Sequence, residues 1–234
     1  MPAAAPRRWR PIAAFVALAL VVGAGAWVVG RSTVETTRSA AAEVVVASPV
    51  VATAPTTTTT TIPHQVAGQK LPAGPATVFV LGDSVMLGAK AQVPPALVGW
   101  TTTFDSKESR RLDQGIDIVA AHAAPIARVL VVHLCTNWFG GDYRAEAAKL
   151  LAAAKGVERV VWMTCTPWRP EVEAADEAIR ALPSEFPQVV VADWQVIAGE
   201  PGYTAGDHLH LNAPGAQAMA SLVAGSIGPA PTAS

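Results

Sequence analysis

Three short stretches, far apart in the chain, carry residues able to do chemistry together. TVFVLGDSVMLGAK (77–90) runs five mostly β-prone residues into Gly82, Asp83 and Ser84. HLCTNW (133–138) sets Asn137 just beyond another apolar run, and GDHLHLNAPG (206–215) offers Asp207, His208 and His210 ahead of a proline-opened helix. A serine hydroxyl is a poor nucleophile until a base accepts its proton, and an imidazole needs a carboxylate to fix its tautomer and stabilise its cation. Asp207 and His210, on one loop, can form that base and its orienter, with Ser84 supplied by another element. An Asn amide and a backbone N–H at a strand-to-helix turn are donors suited to a tetrahedral oxyanion.

Each piece alone has a structural reading as well. Ser84 suits a helix N-cap, and Asn137 suits a turn ahead of Gly140 and Gly141. Asp83 is read as bonding to backbone in the turn, because Asp207 already explains the orienter. Asp207, His208 and His210 are metal-ligand residue types, but His122 and His133 fall on a predicted helix and strand, so no metal or other cofactor is expected. Arg110 and Arg111 are read as solvent-facing residues at a helix start.

The elements that must position these residues follow from periodicity. Four apolar, β-rich runs stand out, TVFVL (77–81), RVLVVHL (128–134), RVVWMTC (159–165) and QVVVAD (188–193), with a weaker fifth in WTTTFD (100–105). Helical patterns lie between and after them at 109–124, 142–156, 170–183 and 213–228. Near-continuous apolar strands alternating with helices imply a parallel sheet covered on both faces, a three-layer α/β/α domain with right-handed crossovers. Ligands bind such sheets beyond the carboxyl ends of the strands, which is where Ser84 and Asn137 fall.

The remainder of the chain reads differently. Residues 11–30 contain no charged residue and are long enough to cross a bilayer core, which takes about 20 apolar residues. Arg7, Arg8 and Arg10 in the basic segment 1–10 put the N-terminus on the cytoplasmic side. An uncleaved anchor is expected, since a signal peptide's apolar region runs to about 7–15 residues; cleavage near Ala24, Ala26 or Ala40–Ala42 is the alternative, giving a secreted form. Either places the rest of the chain outside the cytoplasm. Residues 31–75, rich in Thr, Pro and Ala, read as a flexible spacer, 76–228 as the folded domain and 229–234 as a disordered tail. A net charge of −1 gives no reason to expect nucleic acid as a partner.

The three stretches resemble the sequence blocks of the SGNH (GDSL-type) hydrolase superfamily. The wording G-D-S-V-M-L-G, S-R-x-x-x-x-G and D-H-L-H-L-x-x-x-G is most similar to the extracellular SGNH domains of bacterial cell-wall O-acetyltransferases. The resemblance covers nearly all of 76–228 and implies a flavodoxin-like sheet. It implies Ser84 as nucleophile, His210 as base and Asp207 as orienter, with an oxyanion held by the Ser84 N–H, the Asn137 amide and Gly115. Gly115 stands for the family's glycine block, in a stretch that also reads as helix. Cys135 occupies the usual glycine position before the Asn and Trp138 the position after it, which alters the acyl pocket rather than the triad.

The implied activity is ester hydrolysis on an O-acylated envelope carbohydrate. The implied alternatives are transfer of the acyl group to a wall polysaccharide, with a separate membrane acyl-donor protein as partner, and a silent wall-binding module. Transfer is the weaker expectation because the sequence shows no multi-span acyl-donor segment. Trp138 and Trp168, both just past strand ends, are candidate substrate contacts. Cys135 and Cys165 close what read as neighbouring strands, spaced about 4.8 Å apart, so a disulfide is feasible. Two buried thiols fit as well, and an extracytoplasmic setting favours the bridge.

Overall fold

A computed structural model describes residues 70–123 and 125–232. The expected anchor 11–30 and most of the spacer 31–75 lie outside the described residues, among which no helix is long and apolar enough to cross a membrane. Strands β1 (Thr77–Gly82), β2 (Thr101–Ser106), β3 (Val129–His133), β4 (Arg159–Met163) and β5 (Val189–Ala192) pair in parallel in the order β2-β1-β3-β4-β5. Helices α1 (Ser84–Gly88), α2 (Val93–Ala96), α3 (Leu112–Ala121), α4 (Tyr143–Ala153), α5 (Pro170–Ala181), α6 (Trp194–Ala198) and α7 (Ala213–Ile227) cover the sheet.

Strand side chains alternate between two cores, as the two-residue repeat of a pleated strand requires. Val78, Val80, Val131 and Met163 pack against Met86 of α1, Ile197 of α6 and Met219 of α7. Leu81, Leu130, Val132 and Trp162 pack against Leu112 of α3, Leu150 of α4 and Ile179 of α5. This burial on both faces is why β1, β3 and β4 read as unbroken apolar runs rather than as alternation. The three-layer α/β/α architecture is the one expected. Its strand order reverses between β1 and β3, so the crevice beyond their carboxyl ends is the place for a ligand.

The observed elements correct several boundaries. The helix expected over 109–124 covers only Leu112–Ala121, because Lys107–Arg110 makes a turn in which Ser109 adopts φ +56°. The folded unit is also longer than 76–228. Leu71 is buried in the core, and Arg128 Nη2 donates to the Pro72 carbonyl at 2.7 Å. Gly74 N–H donates to the Thr232 carbonyl at 3.3 Å. The two ends therefore bind each other, and up to Thr232 the supposed tail is ordered against the domain. Low-complexity composition on either side hid these contacts.

Cys135 and Cys165 form a disulfide, with Cα atoms 5.8 Å apart. Each lies three residues beyond the matched pair Val132 and Trp162, so the β3–β4 register brings them together. The bridge closes a sequence separation of 30 residues, for which the chain-entropy model gives roughly 3–4 kcal/mol of stabilisation. Replacing both cysteines by alanine is expected to lower the unfolding free energy by about 3 kcal/mol, read from urea unfolding monitored by tryptophan fluorescence.

Candidate active site

Ser84 is the first residue of α1, and its placement begins with two small-scale constraints. At Gly82 an added Cβ would sit 2.4 Å from Met86 Cβ, so only glycine lets α1 turn back so tightly onto β1. Asp83, fully buried, is the N-cap; its Oδ1 accepts the Val85 N–H at 3.0 Å. The capping role considered for Ser84 thus belongs to Asp83, leaving the Ser84 hydroxyl free to face the crevice.

His210 arrives on the hairpin-like loop before α7. Thr204 and Leu211 bridge antiparallel, and Ala205 N–H donates to the His210 carbonyl at 2.7 Å. Asp207 Oδ1 accepts the N–H groups of Leu209 and His210 at 3.1 and 3.0 Å, a local Asx turn. Asn212 closes the loop: its amide donates to the carbonyls of Gly202 and Thr204, while its Oδ1 caps α7 through the Gly215 N–H. At Gly215 an added Cβ would fall 1.8 Å from the Tyr203 carbonyl oxygen, so this glycine lets the loop lie on the helix.

The outcome is a continuous line of side chains. His210 Nε2 lies 3.1 Å from Ser84 Oγ, and His210 Nδ1 lies 2.7 Å from Asp207 Oδ2. The His210 hydrogen bond, helped by the two backbone N–H groups, pulls the Asp207 carboxyl down to about 2, so it is ionised at any pH of interest. Such a line can move a proton from the hydroxyl to the imidazole and stabilise the resulting cation. His208, at φ +58°, is exposed between the two functional positions. Among the described residues, the groups close enough to share a metal ion are Asp83, His133 and Cys165, or Cys135, Cys165 and Asp176. In both sets the cysteine sulfur is committed to the disulfide.

Around this line lies an open cleft of about 570 Å³, lined among others by Ser84, Glu108, Ser109, Asn137, Trp168 and His210. The Asn137 amide donates to the Arg110 carbonyl at 3.2 Å, which orients it and leaves its second N–H available. Trp168, 46% exposed, donates its indole N–H to the Thr136 carbonyl. Trp138 is turned away from Ser84. It packs edge-on against Tyr143 and lines a neighbouring cavity of about 550 Å³ that shares Asn137 with the cleft.

Two expectations need correction. Gly115 is not a donor to the site: it is buried in the first turns of α3, where its N–H donates to the Arg111 carbonyl at 3.2 Å. Its lack of a side chain serves close packing against Leu134. Arg110 is not solvent-facing. It is buried, pairs with Asp105 at 2.7 Å and donates to the Gly82 carbonyl at 3.3 Å, tying β1 and β2 together beneath the cleft. Arg111 is exposed, paired with Asp113. Sequence reasoning also passed over Ser109, whose left-handed backbone sits at the cleft wall, where such strain often marks function. Nothing in the Ser109-Arg110 pair signals φ above zero.

No family model and no curated protein matches the chain. Solved structures do. The C-terminal catalytic domain of Streptococcus pneumoniae peptidoglycan O-acetyltransferase A, captured with a methylsulfonyl adduct, superposes with a TM-score of 0.55 at 22% identity over 65% of this chain and 90% of that one. A lipolytic G-D-S-L family protein from Veillonella parvula gives 0.54 at 14% identity, over 63% and 95%. A GDSL-like lipase from Bacteroides thetaiotaomicron gives 0.54 at 18%, over 65% and 87%. The chain has the SGNH hydrolase fold. At these identities the likeness is one of fold, and the chemistry must rest on the residues themselves.

Asp176 of α5 is buried and its Oδ1 accepts the Cys165 N–H at 2.8 Å. Burial pushes its carboxyl up to about 7, against the opposing pull of that N–H, Arg180 and His133. The folded state therefore keeps a proton that the unfolded chain releases near pH 4, so this contribution to stability is lost as pH rises through about 7. The stability difference between wild type and Asp176→Asn is expected to move against wild type by about 3 kcal/mol between pH 4 and 8, read from parallel urea titrations.

Proposed function

We propose that the protein is a serine esterase that cleaves acyl, above all acetyl, esters of an envelope carbohydrate from a membrane-tethered position outside the cytoplasm. The observation that carries the catalytic part is the Ser84–His210–Asp207 line, 3.1 Å and 2.7 Å long in its two steps. Ser84 Oγ attacks the ester carbonyl as its proton passes to His210 Nε2. The tetrahedral oxyanion is held by the Ser84 N–H, the free N–H of Asn137 and the Ser109 N–H, which takes the place first given to Gly115. His210 returns the proton to the departing sugar oxygen as the C–O bond breaks. Water, deprotonated by the same imidazole, then attacks the acyl-enzyme and releases the acid.

The setting draws on further features. The uncharged run 11–30 supports tethering, and the disulfide fits an oxidising compartment. The carbohydrate part is supported by the half-exposed face of Trp168 in the cleft, with exposed Phe139 beside it and the Arg169 guanidinium stacked 4.2 Å from the Trp168 ring and 4.0 Å from the Phe139 ring. Flat aromatic faces at an open rim suit sugar rings better than a lipid chain, which calls for an enclosed apolar pocket. A second reading, transfer of the acyl group to a sugar hydroxyl through the same acyl-enzyme with a separate membrane donor protein, is favoured by the likeness to an O-acetyltransferase catalytic domain.

The test uses p-nitrophenyl acetate with and without an oligosaccharide acceptor. Ser84→Ala is expected to reduce turnover by at least about 10³-fold with the fold intact, and free acetate is expected to exceed acetylated sugar. Equal, slow cleavage by wild type and variant would leave only a wall-binding module, and acetylated sugar in excess would make the enzyme a transferase.

A further inference from the structure

His133, the last residue of β3, is completely enclosed, as is Asp83. The two touch twice. Asp83 N–H donates to the His133 carbonyl at 3.1 Å, and His133 Nδ1 lies 3.0 Å from Asp83 Oδ1. That oxygen is the one that caps α1 through Val85, so a single carboxylate oxygen joins β3 to the helix that begins with Ser84. Among the described residues the other ring nitrogen, His133 Nε2, has no hydrogen-bond partner, so the directed interaction of the ring runs through Nδ1.

A space-filling role does not explain this pair. A buried ion pair replaced by well-packed apolar groups of similar volume is often neutral or stabilising, so retaining one yields geometry rather than net stability. The titratable groups that act on the imidazole are Asp83 at the end of β1 and Asp176 from α5, and both carboxylates also act on Tyr143 of α4. The disulfide sulfur of Cys165 lies within 4.8 Å of both Asp83 and His133. Burial opposes a charged imidazole, but the charge and hydrogen bond of Asp83 outweigh it, joined by Asp176 once that carboxyl is ionised, and raise His133 above its ordinary value. A donor at Nδ1 is present in either state, provided the neutral ring carries its proton there.

We propose that His133 is a positioning residue for the nucleophile: its Nδ1–H fixes Asp83 Oδ1 in the rotamer that caps α1, and through the Val85 N–H this sets Ser84 Oγ in line with His210 Nε2. The inference rests on the serine-esterase reading of the site. His133 touches neither substrate nor reacting atoms. Its effect is indirect, since a shift of about 1 Å in a reacting group can cost on the order of 10²-fold in rate.

Two variants of the full chain separate the ring nitrogens. His133→Asn retains an amide N–H near the Nδ1 place, and His133→Gln places its amide near Nε2 instead. Reacting sites are counted by stoichiometric sulfonylation with phenylmethylsulfonyl fluoride, and kcat and KM are measured on p-nitrophenyl acetate per reacting site. His133→Gln is expected to lose about 10²-fold in kcat with KM nearly unchanged, while His133→Asn stays within about fivefold of wild type. Equal losses in the two variants, or an unchanged kcat per site in His133→Gln, overturn the proposal. Independently of folding in the variants, nitrogen-15 spectra of wild type should show a slowly exchanging, hydrogen-bonded Nδ1–H on His133, and its absence overturns the proposal too. Wild type that neither hydrolyses the ester nor becomes sulfonylated removes the esterase reading, while the imidazole resonance still judges the bond.

Discussion

The hydrogen bond from Asp83 N–H to the His133 carbonyl extends the β1–β3 ladder one step past the strands, and beyond it the two chains part. One turns into α1 on the face packed with α6 and α7; the other continues through Asn137 toward α4 on the opposite face. The crevice between them exists because parallel strands cannot be joined by tight turns and their crossovers must leave on one side or the other. Ser84 on one lip and the Asn137 amide on the other are then neighbours in space without being neighbours in sequence.

Loops at such an edge need a source of rigidity other than the sheet. Here it comes from side chains that seize carbonyl oxygens. Arg110 takes those of Gly82 and Asp105, Arg169 those of Thr136 and Trp138, and Asn212 those of Gly202 and Thr204. Each satisfies backbone acceptors that would otherwise be left without partners away from strands and helices. Thr166 adds a link between layers, taking the Trp194 indole N–H and donating to the Leu209 carbonyl of the histidine loop. The disulfide joins the two loops that carry Asn137 and Trp168.

Much of this was legible in the sequence. Apolar runs of five to seven residues located all the interior strands, and Gly82-Asp83-Ser84, Asn137 and Asp207/His210 marked the strand-end rim, because those signals are local and depend on residue type. What escaped depends on contacts between distant segments. Arg110 looks like any helix-start arginine until β2 brings Asp105 beside it. Gly115 fits a block by spacing, yet its N–H is spent inside a helix and its missing side chain accommodates Leu134. His133 was read as one more residue on a strand, since a buried imidazole is recognisable only once its partner carboxylate is in place. The ends of the domain escape for the same reason: Leu71 and Pro231 are buried in the fold, and Gly74 bonds the Thr232 carbonyl, across a distance no local pattern records.

Ser84 and His210 stand 126 residues apart in the sequence. Ser84 belongs to the first strand–helix unit of the described chain, whereas the His210 loop is clamped by the cap of the last helix. A growing chain thus carries Ser84 without His210 for the 126 residues that separate them. Until α7 docks and Asn212 closes its loop, no imidazole stands near the hydroxyl to take its proton. On the proposed mechanism reactivity waits for that docking, so a chain that ends before His210 lacks its base.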